Sequence, residues 1–177
     1  MSDIVPFDDF YQMVGRASTG WMLVEEAVLD VFTRSVLYSV GNGLTNEKPH
    51  ALFVLGNIFY SSTNLRGRLK MIADVLNRVV TDPAILSEWN AVTNRLLTLY
   101  KRRNVLAHGA VWGNDAGASC IMASLFDTGR KQLSYAQVCA CVQSFERMAE
   151  RLHKLAQSIG SHLAPGGPFA SSKHTAD

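Results

Sequence analysis

Apolar residues recur three or four positions apart along four segments of the chain, and this spacing predicts four amphipathic α-helices. The first helix is expected to follow a separate turn over Pro6 to Val14 and to end at Gly41-Asn42-Gly43. The second is expected from about Pro49 to Val80, with Gly56 and Gly67 as places where it bends or packs closely. The two apolar stripes consist of Trp21, Val24, Val28, Val31, Ser35 and Tyr38, and of Leu65, Leu69, Ile72, Leu76 and Val79.

The third helix has the clearest boundary signals. Asp82 can cap free backbone N–H groups, and Pro83 suits the first helical position because no backbone donor is needed there. Gly109 is expected to end this helix in a left-handed conformation. The stripe of the third helix consists of Ile85, Trp89, Val92, Leu96, Leu99, Arg103 and Leu106.

Between residues 110 and 133 turn residues surround a β-favouring run, Cys120 to Phe126, which predicts a short hairpin or an ordered loop. Ser134 and Gln137 have capping-box spacing, which predicts the start of the fourth helix. The apolar positions of that helix are Val138, Val142, Phe145, Met148 or Ala149, Leu152, Leu155 and Ile159.

These elements predict an all-α fold: an antiparallel four-helix bundle with a short β-like hairpin or loop inserted before the last helix. The chain has 177 residues, a length that suits one domain. We expect a single helical domain over residues 1–163 and a flexible C-terminal tail over residues 164–177, where glycine, proline and polar residues are frequent.

Composition argues against several classes of protein. The longest apolar stretch, Ala51 to Tyr60, is about half as long as a membrane span, and the N-terminus lacks the pattern of a secretory signal. We therefore expect a cytoplasmic protein with no membrane partner. The three cysteines are expected to be reduced, no glycine-rich phosphate loop is present, and no metal or other cofactor is expected. The scattered histidines predicted to be surface or capping residues are His50, His153, His162 and His174.

The net charge is only +2, but the charges are unevenly placed. Residues 1–30 are mainly acidic, whereas basic residues dominate residues 64–108. A basic face in the second region would suit phosphate or an acidic partner, and an ordinary solvated helix face is the alternative. Lys101, Arg102 and Arg95 are the candidates for contacts with phosphate or RNA.

Arg103 stands where an apolar residue would continue the stripe of the third helix. A charge directed at a core or a subunit interface needs a carboxylate, backbone carbonyls or a bound anion. Glu25, Glu26 and Glu88 are candidate partners, and the sequence does not choose among them.

The segment Arg103-Asn104-Val105-Leu106-Ala107-His108 resembles the signature of the higher eukaryotes and prokaryotes nucleotide-binding (HEPN) superfamily of small helical bundles. The resemblance covers the motif strictly and the four-helix layout loosely. It implies a homodimer in which two copies of the motif meet and, in many members, metal-independent cleavage of RNA. A toxin or defence role, with an antitoxin or regulatory protein as a further partner, belongs to the same expectation. One HEPN subset has tyrosine two residues after the histidine, where this chain has Ala110, so regulation through such a tyrosine is not expected.

In that scheme Arg103 and His108 are the catalytic pair, and Asn104 helps to set their geometry. RNA supplies its own nucleophile, the 2′-hydroxyl, so cleavage needs a group that moves protons and a cation that stabilises the phosphorane. The helix dipole favours positive charge at the C-terminal end of a helix, which suits His108 to a general acid. Because Arg103 and His108 are about 140° apart on an ideal helix, either the last turn loosens or the site is composite across a two-fold axis.

Two other interpretations remain open. A non-catalytic bundle would keep the motif to bind nucleotide, RNA or a protein partner. A purely structural dimer would use Arg103 as a satisfied interface residue. Active and inactive members of such a family can share the motif, so the identity of these residues does not decide among the three.

Overall fold

The computed structural model describes residues 4–39, 49–62, 64–122 and 132–164. Within these ranges the chain is mostly helical, with five α-helices and one small antiparallel sheet. The helices are α1 (Phe7–Ser39), α2 (Pro49–Ser61), α3 (Leu65–Val79), α4 (Pro83–His108) and α5 (Tyr135–Leu163), and the strands are β1 (Ala110–Asn114), β2 (Gly117–Met122) and β3 (Gln132–Ser134). None of the described helices is both long enough and apolar enough to cross a bilayer.

Helix α1 is uninterrupted from its first residue, so the separate turn predicted over Pro6 to Val14 is wrong. Phe10 and Ala17 are fully buried and extend the stripe of Trp21 toward the N-terminus. One continuous amphipathic helix buries this longer stripe, whereas a break would interrupt it. The predicted stop at Gly41-Asn42-Gly43 lies outside the described residues.

The second predicted helix is divided into α2 and α3, so the single helix expected from Pro49 to Val80 is wrong. The division does not occur at either of its glycines. Asn64 has an extended backbone, and its Oδ1 accepts a hydrogen bond from the Gly67 N–H at 2.8 Å. Asn64 therefore caps the first turn of a new helix. The buried face of α3 consists of Leu65, Leu69, Ile72 and Leu76.

The starts predicted for the last two helices are confirmed. Asp82 Oδ1 accepts a hydrogen bond from the Ala84 N–H at 2.8 Å at the start of α4. At the start of α5, the Ser134 N–H donates to Gln137 Oε1 at 2.9 Å and the Gln137 N–H donates to Ser134 Oγ at 3.3 Å. These bonds satisfy N–H groups that have no partner inside the helix. All the apolar positions predicted for the fourth helix are buried in α5.

The predicted hairpin is part of a three-stranded antiparallel sheet in the order β1-β2-β3. Trp112 of β1 pairs with Cys120 of β2, and the register shifts after Trp112. The predicted β-favouring run forms strand as far as Met122, and its remainder lies outside the described residues. Val5 exchanges two backbone hydrogen bonds with Ala118, at 3.0 and 2.8 Å, which joins the N-terminal segment to β2.

The end of α4 differs from the prediction at Gly109. Among the described glycines, Gly117 alone has a positive φ, 138°, so the left-handed conformation predicted for Gly109 is wrong. The Gly109 N–H instead donates to Val105 O at 2.8 Å and completes the last helical turn. A Cβ at Gly109 would lie 2.7 Å from Met122 O and 2.8 Å from Ile121 Cγ1. Glycine is therefore needed here because β2 passes close to the end of the helix.

The chain divides into two compact units. The first unit comprises Met1–Glu25 and Arg95–Ala149, and the second comprises Glu26–Asn94 and Glu150–Asp177, each within its described residues. All six predicted site residues belong to the first unit. The single domain over residues 1–163 stays a prediction, and residues 165–177 of the predicted tail lie outside the described residues.

Each unit has its own apolar core. In the first unit the Trp21 ring packs edge-on against Phe145, with ring centroids 5.3 Å apart, and lies 5.9 Å from the Tyr100 ring. In the second unit the Phe32 and Phe59 rings are 5.5 Å apart. The Trp21 cluster supports the part of α1 that lies next to the predicted motif.

Candidate functional site

The last four turns of α4 carry the predicted site residues. Lys101, Arg102 and Arg103 are consecutive, so their side chains leave the helix in directions about 100° apart. Lys101 is exposed, whereas Arg102 and Arg103 are half-buried. The three cationic side chains therefore lie in three different surroundings and do not form one cluster.

Arg103 lines a small cavity between α1 and α4 inside the first unit, with a volume of about 170 Å³. We call it the Arg103 cavity. Its lining consists of Ala17, Ser18, Trp21, Met22 and Glu25 of α1, and of Arg103, Leu106 and Ala107 of α4. Arg103, which stands at an apolar position of the α4 stripe, thus faces this cavity. Its guanidinium is not buried in close-packed core.

The Arg103 guanidinium is held by its neighbour in sequence. Its Nη1 donates a hydrogen bond to Asn104 Oδ1 at 3.3 Å. Among the described residues it forms no ion pair within 4.0 Å. Because a guanidinium has five N–H donors, the bond to Asn104 leaves most of them for another acceptor. Asn104 is therefore placed to orient Arg103.

The structure separates the three acidic residues that were candidate partners of Arg103. Glu88 is bound to Arg151 within the second unit, and Glu26 is exposed. Glu25 is half-buried and lines the Arg103 cavity. Its Oε1 accepts a hydrogen bond from Trp21 Nε1 at 2.9 Å. Glu25 is thus the acidic residue that shares a cavity with Arg103.

His108 is exposed and is the last residue of α4. The helix stays regular up to this residue, so the loosened last turn considered from the sequence is not observed. Arg103 and His108 therefore point about 140° apart, whereas Asn104 and His108 are only about 40° apart. On one regular helix the two side chains therefore start out in different directions.

The predicted phosphate contacts have separate surroundings. Arg102 lies beside the fully buried Cys141 of α5: burial raises the pKa of the Cys141 thiol, and the Arg102 guanidinium acts in the opposite direction. Arg102 therefore has a partner in the core of the first unit. Arg95 and Lys101 are exposed on α4 and face solvent.

One large exposed apolar side chain lines the Arg103 cavity: Met22 is 60% exposed. The adjacent Leu23 is 44% exposed but lines a different depression, with Gly15 and Glu146. An exposed apolar side chain at the edge of a charged cavity suits contact with another molecule. No pattern in the sequence indicated this contact, since Met22 lies beside the predicted stripe and not in it.

The second unit contains a larger groove, of about 820 Å³, between the first turns of α4 and the end of α5. No predicted site residue lines it. His162 lines it and is only 8% exposed, and its Nε2 accepts a hydrogen bond from the Thr81 N–H at 3.4 Å. Of the two roles predicted for His162, surface or capping, the surface location is therefore wrong. Its spacing of three from Ile159, the last apolar position predicted for the fourth helix, was the signal for burial.

Within the described part of the chain, no three His, Cys, Asp or Glu side chains are grouped so that they could hold a metal ion. No protein-family model matches the chain, and no curated protein and no solved structure is significantly similar to it.

Proposed function

We propose that this protein is a metal-independent endoribonuclease of the HEPN type that acts as a homodimer. The observation that carries the proposal is the state of Arg103: a half-buried guanidinium beside a cavity, oriented by Asn104 and without an ion pair among the described residues. Such a guanidinium is suited to bind a phosphate through paired N–H donors.

The reaction is transesterification within the RNA. The 2′-oxygen attacks the adjacent phosphorus, the bond from phosphorus to O5′ breaks, and the products are a 2′,3′-cyclic phosphate and a 5′-hydroxyl. Arg103 stabilises the charge that builds on the phosphorane oxygens, and His108 donates the proton that the leaving O5′ requires. No step requires a cofactor.

Two observations support the dimer. Arg103 and His108 leave α4 about 140° apart, and a site that takes the two side chains from two copies of the chain would bring both to one phosphate. The exposed Met22 of the Arg103 cavity supports an interface at this position, because a two-fold contact there would cover it on both copies.

The proposal also includes the other features expected of a HEPN protein. They are an antiparallel four-helix bundle with the sheet as an insertion before α5, a cytoplasmic location, and a role as a toxin or defence component restrained by an antitoxin or regulatory protein.

RNA cleavage in the presence of EDTA tests the proposal. The wild-type protein should cleave, and Arg103→Ala and His108→Ala proteins that keep wild-type circular dichroism should not. Arg147→Ala removes an exposed cation from α5, outside the predicted site, and serves as the control. A dimer that leaves RNA intact but binds it with strong salt dependence would favour the non-catalytic binding bundle instead. If the Arg103→Ala and His108→Ala variants change only stability, the role of Arg103 is structural.

A further inference from the structure

The proposed reaction needs two proton transfers, and the motif supplies a group for one of them. The 2′-hydroxyl must lose a proton, and O5′ must gain one. Arginine does not act as a proton acceptor in proteins, so Arg103 cannot take this proton. His108 at the end of α4 is suited to donate one. A proton acceptor for the 2′-hydroxyl is therefore missing from the motif.

Glu25 meets the positional requirement for that acceptor. It lines the Arg103 cavity one helical turn after Trp21, and its Oε1 accepts the Trp21 Nε1–H at 2.9 Å. Trp21 is 2% exposed and is packed against Phe145, so the indole that holds the carboxylate is itself immobilised. The Glu25 carboxylate is thus held in the lining of the Arg103 cavity by the core of the first unit.

The charges of the Arg103 cavity fit the two parts of a ribonucleotide linkage that react. Of the side chains that line the cavity, Glu25 and Arg103 carry charge, one negative and one positive. The anionic phosphate complements the guanidinium, and the neutral 2′-hydroxyl can donate to the carboxylate. The volume of about 170 Å³ is smaller than the roughly 300–1,000 Å³ of pockets that enclose a drug-sized ligand. It therefore suits a stretch of backbone better than a whole nucleotide.

We infer that Glu25 is the general base of this ribonuclease, an assignment that rests on the proposed function. Glu25 takes the proton of the 2′-hydroxyl as O2′ forms its bond to phosphorus. The bond from phosphorus to O5′ breaks, and His108 of the partner subunit gives its proton to O5′. Glu25 ends protonated and His108 neutral, and proton exchange with water restores both. The substrate must carry a 2′-hydroxyl, so RNA is cleaved and the DNA of the same sequence is not.

Glu25→Gln is the first variant to test. Glutamine has the same length and keeps an oxygen that accepts the Trp21 hydrogen bond, but it is not a base. The expected result is a fall in kcat of about 100-fold or more with KM little changed, since general-base catalysis typically contributes about 10²–10⁴-fold. Glu25→Asp should retain part of the rate. Glu26→Gln, at the exposed neighbouring position, is the matched control and should cleave like the wild type.

A modified substrate then separates base from acid. In RNA with sulfur in place of the scissile O5′, the leaving thiolate needs no proton, so a general acid is dispensable and a general base is not. This substrate should restore cleavage by His108→Ala and should leave Glu25→Gln slow. Restoration of Glu25→Gln would overturn the assignment, because Glu25 would then serve the leaving group.

Failure of this inference is distinguishable from failure of the proposed function. If the wild type cleaves RNA and Arg103→Ala does not, but Glu25→Gln keeps full activity, Glu25 is not the base and the ribonuclease proposal stands. If Glu25→Gln lowers the melting temperature and raises KM with kcat unchanged, its role is structural and the assignment is wrong. If the wild type cleaves no RNA in EDTA, the proposed function fails and the assignment fails with it.

Discussion

Glu88 of α4 and Arg151 of α5 form a two-point ion pair within the second unit. Arg151 Nη2 donates to Glu88 Oε2 at 2.8 Å, and Arg151 Nε donates to Oε1. The hydrogen bond from Arg151 lowers the pKa of the Glu88 carboxyl, and desolvation of the carboxyl partly opposes it. Glu88 was one of three candidate acidic partners of Arg103. The structure shows that its carboxylate pairs with Arg151 instead.

The Glu88–Arg151 pair predicts a pH dependence of stability. A carboxylate with a lowered pKa in the folded state stabilises the fold above its unfolded pKa, and this contribution is lost as the pH falls through the folded pKa. The side chains of Arg151 and Glu88 are 41% and 39% exposed, so Glu88→Gln should lower the free energy of unfolding at neutral pH by only about 0.5–1 kcal/mol. Urea unfolding at neutral pH should show this difference, and the difference should shrink below about pH 4.3.

The control for that measurement is Asp74→Asn. Asp74 pairs with Lys70 at 3.7 Å within α3, where both side chains are more exposed than those of the Glu88 pair. Its effect should be smaller at every pH. A Glu88→Gln difference that persists unchanged in acid would contradict the role of the ion pair.

Arg103→Lys tests whether Arg103 acts through paired donors or only through charge. Lysine keeps the charge but lacks the planar donors that match two phosphate oxygens. We expect kcat/KM for RNA cleavage to fall by about 100-fold, comparable with removal of one donor that stabilises a transition-state oxyanion. Arg147→Lys, at an exposed position of α5 outside the predicted site, should leave the rate unchanged. Full activity of Arg103→Lys would show that a point charge is sufficient.

Mixed dimers test the composite site. When Arg103→Ala and His108→Ala proteins exchange subunits, about half of the dimers are mixed, and each of those contains one intact Arg103 and His108 pair across the interface. Activity should therefore return to about a quarter of the wild-type value. Arg103→Ala mixed with Glu25→Gln should stay inactive, because those two residues act within one subunit. A site built from a single chain would give no recovery in either mixture.

Gly109→Ala and Gly15→Ala should have opposite effects on stability. A Cβ at Gly109 would collide with Val105 O and with β2, so the substitution should destabilise the fold by about 1–3 kcal/mol. A Cβ at Gly15 meets nothing within 4 Å inside α1, so alanine there should stabilise the fold by about 0.5–1 kcal/mol. Thermal unfolding of the two variants gives the comparison, and equal melting temperatures would contradict the close approach of β2 at Gly109.

The boundaries that were predicted well depend on neighbours in sequence. Asp82 marks the start of α4, and Ser134 with Gln137 marks the start of α5, because a cap involves residues within one turn. The break before α3 also has a local cause, Asn64, but the apolar spacing on both sides made one long helix the simpler prediction. The prediction at Gly109 rested on the left-handed backbone conformation that glycine allows. Glycine is needed there for another reason, because β2 passes close to the end of α4.

The motif residues were identified from the sequence, but their relation to each other was not. The stripe of α4 identified Arg103 as the break in the apolar pattern, and its half-buried position agrees with that reading. The choice of Glu25 required the packing of α1 on α4 within the first unit. The spacing of four between Trp21 and Glu25 was visible, but such pairs are common on helices and gain meaning only beside a cavity.

The close contact at Gly109 also determines where this protein can accept additional sequence. An inserted residue between Gly109 and Trp112 would shift the strand against which the end of α4 is fixed, and the imidazole of His108 would move with it. The tip of the hairpin is different, because its Asn114 Oδ1 bonds the Ala116 N–H at 3.0 Å in an exposed turn that lies beyond the register shift. An epitope tag or a fluorescent label placed at Asp115 would therefore leave the end of α4 and His108 in place.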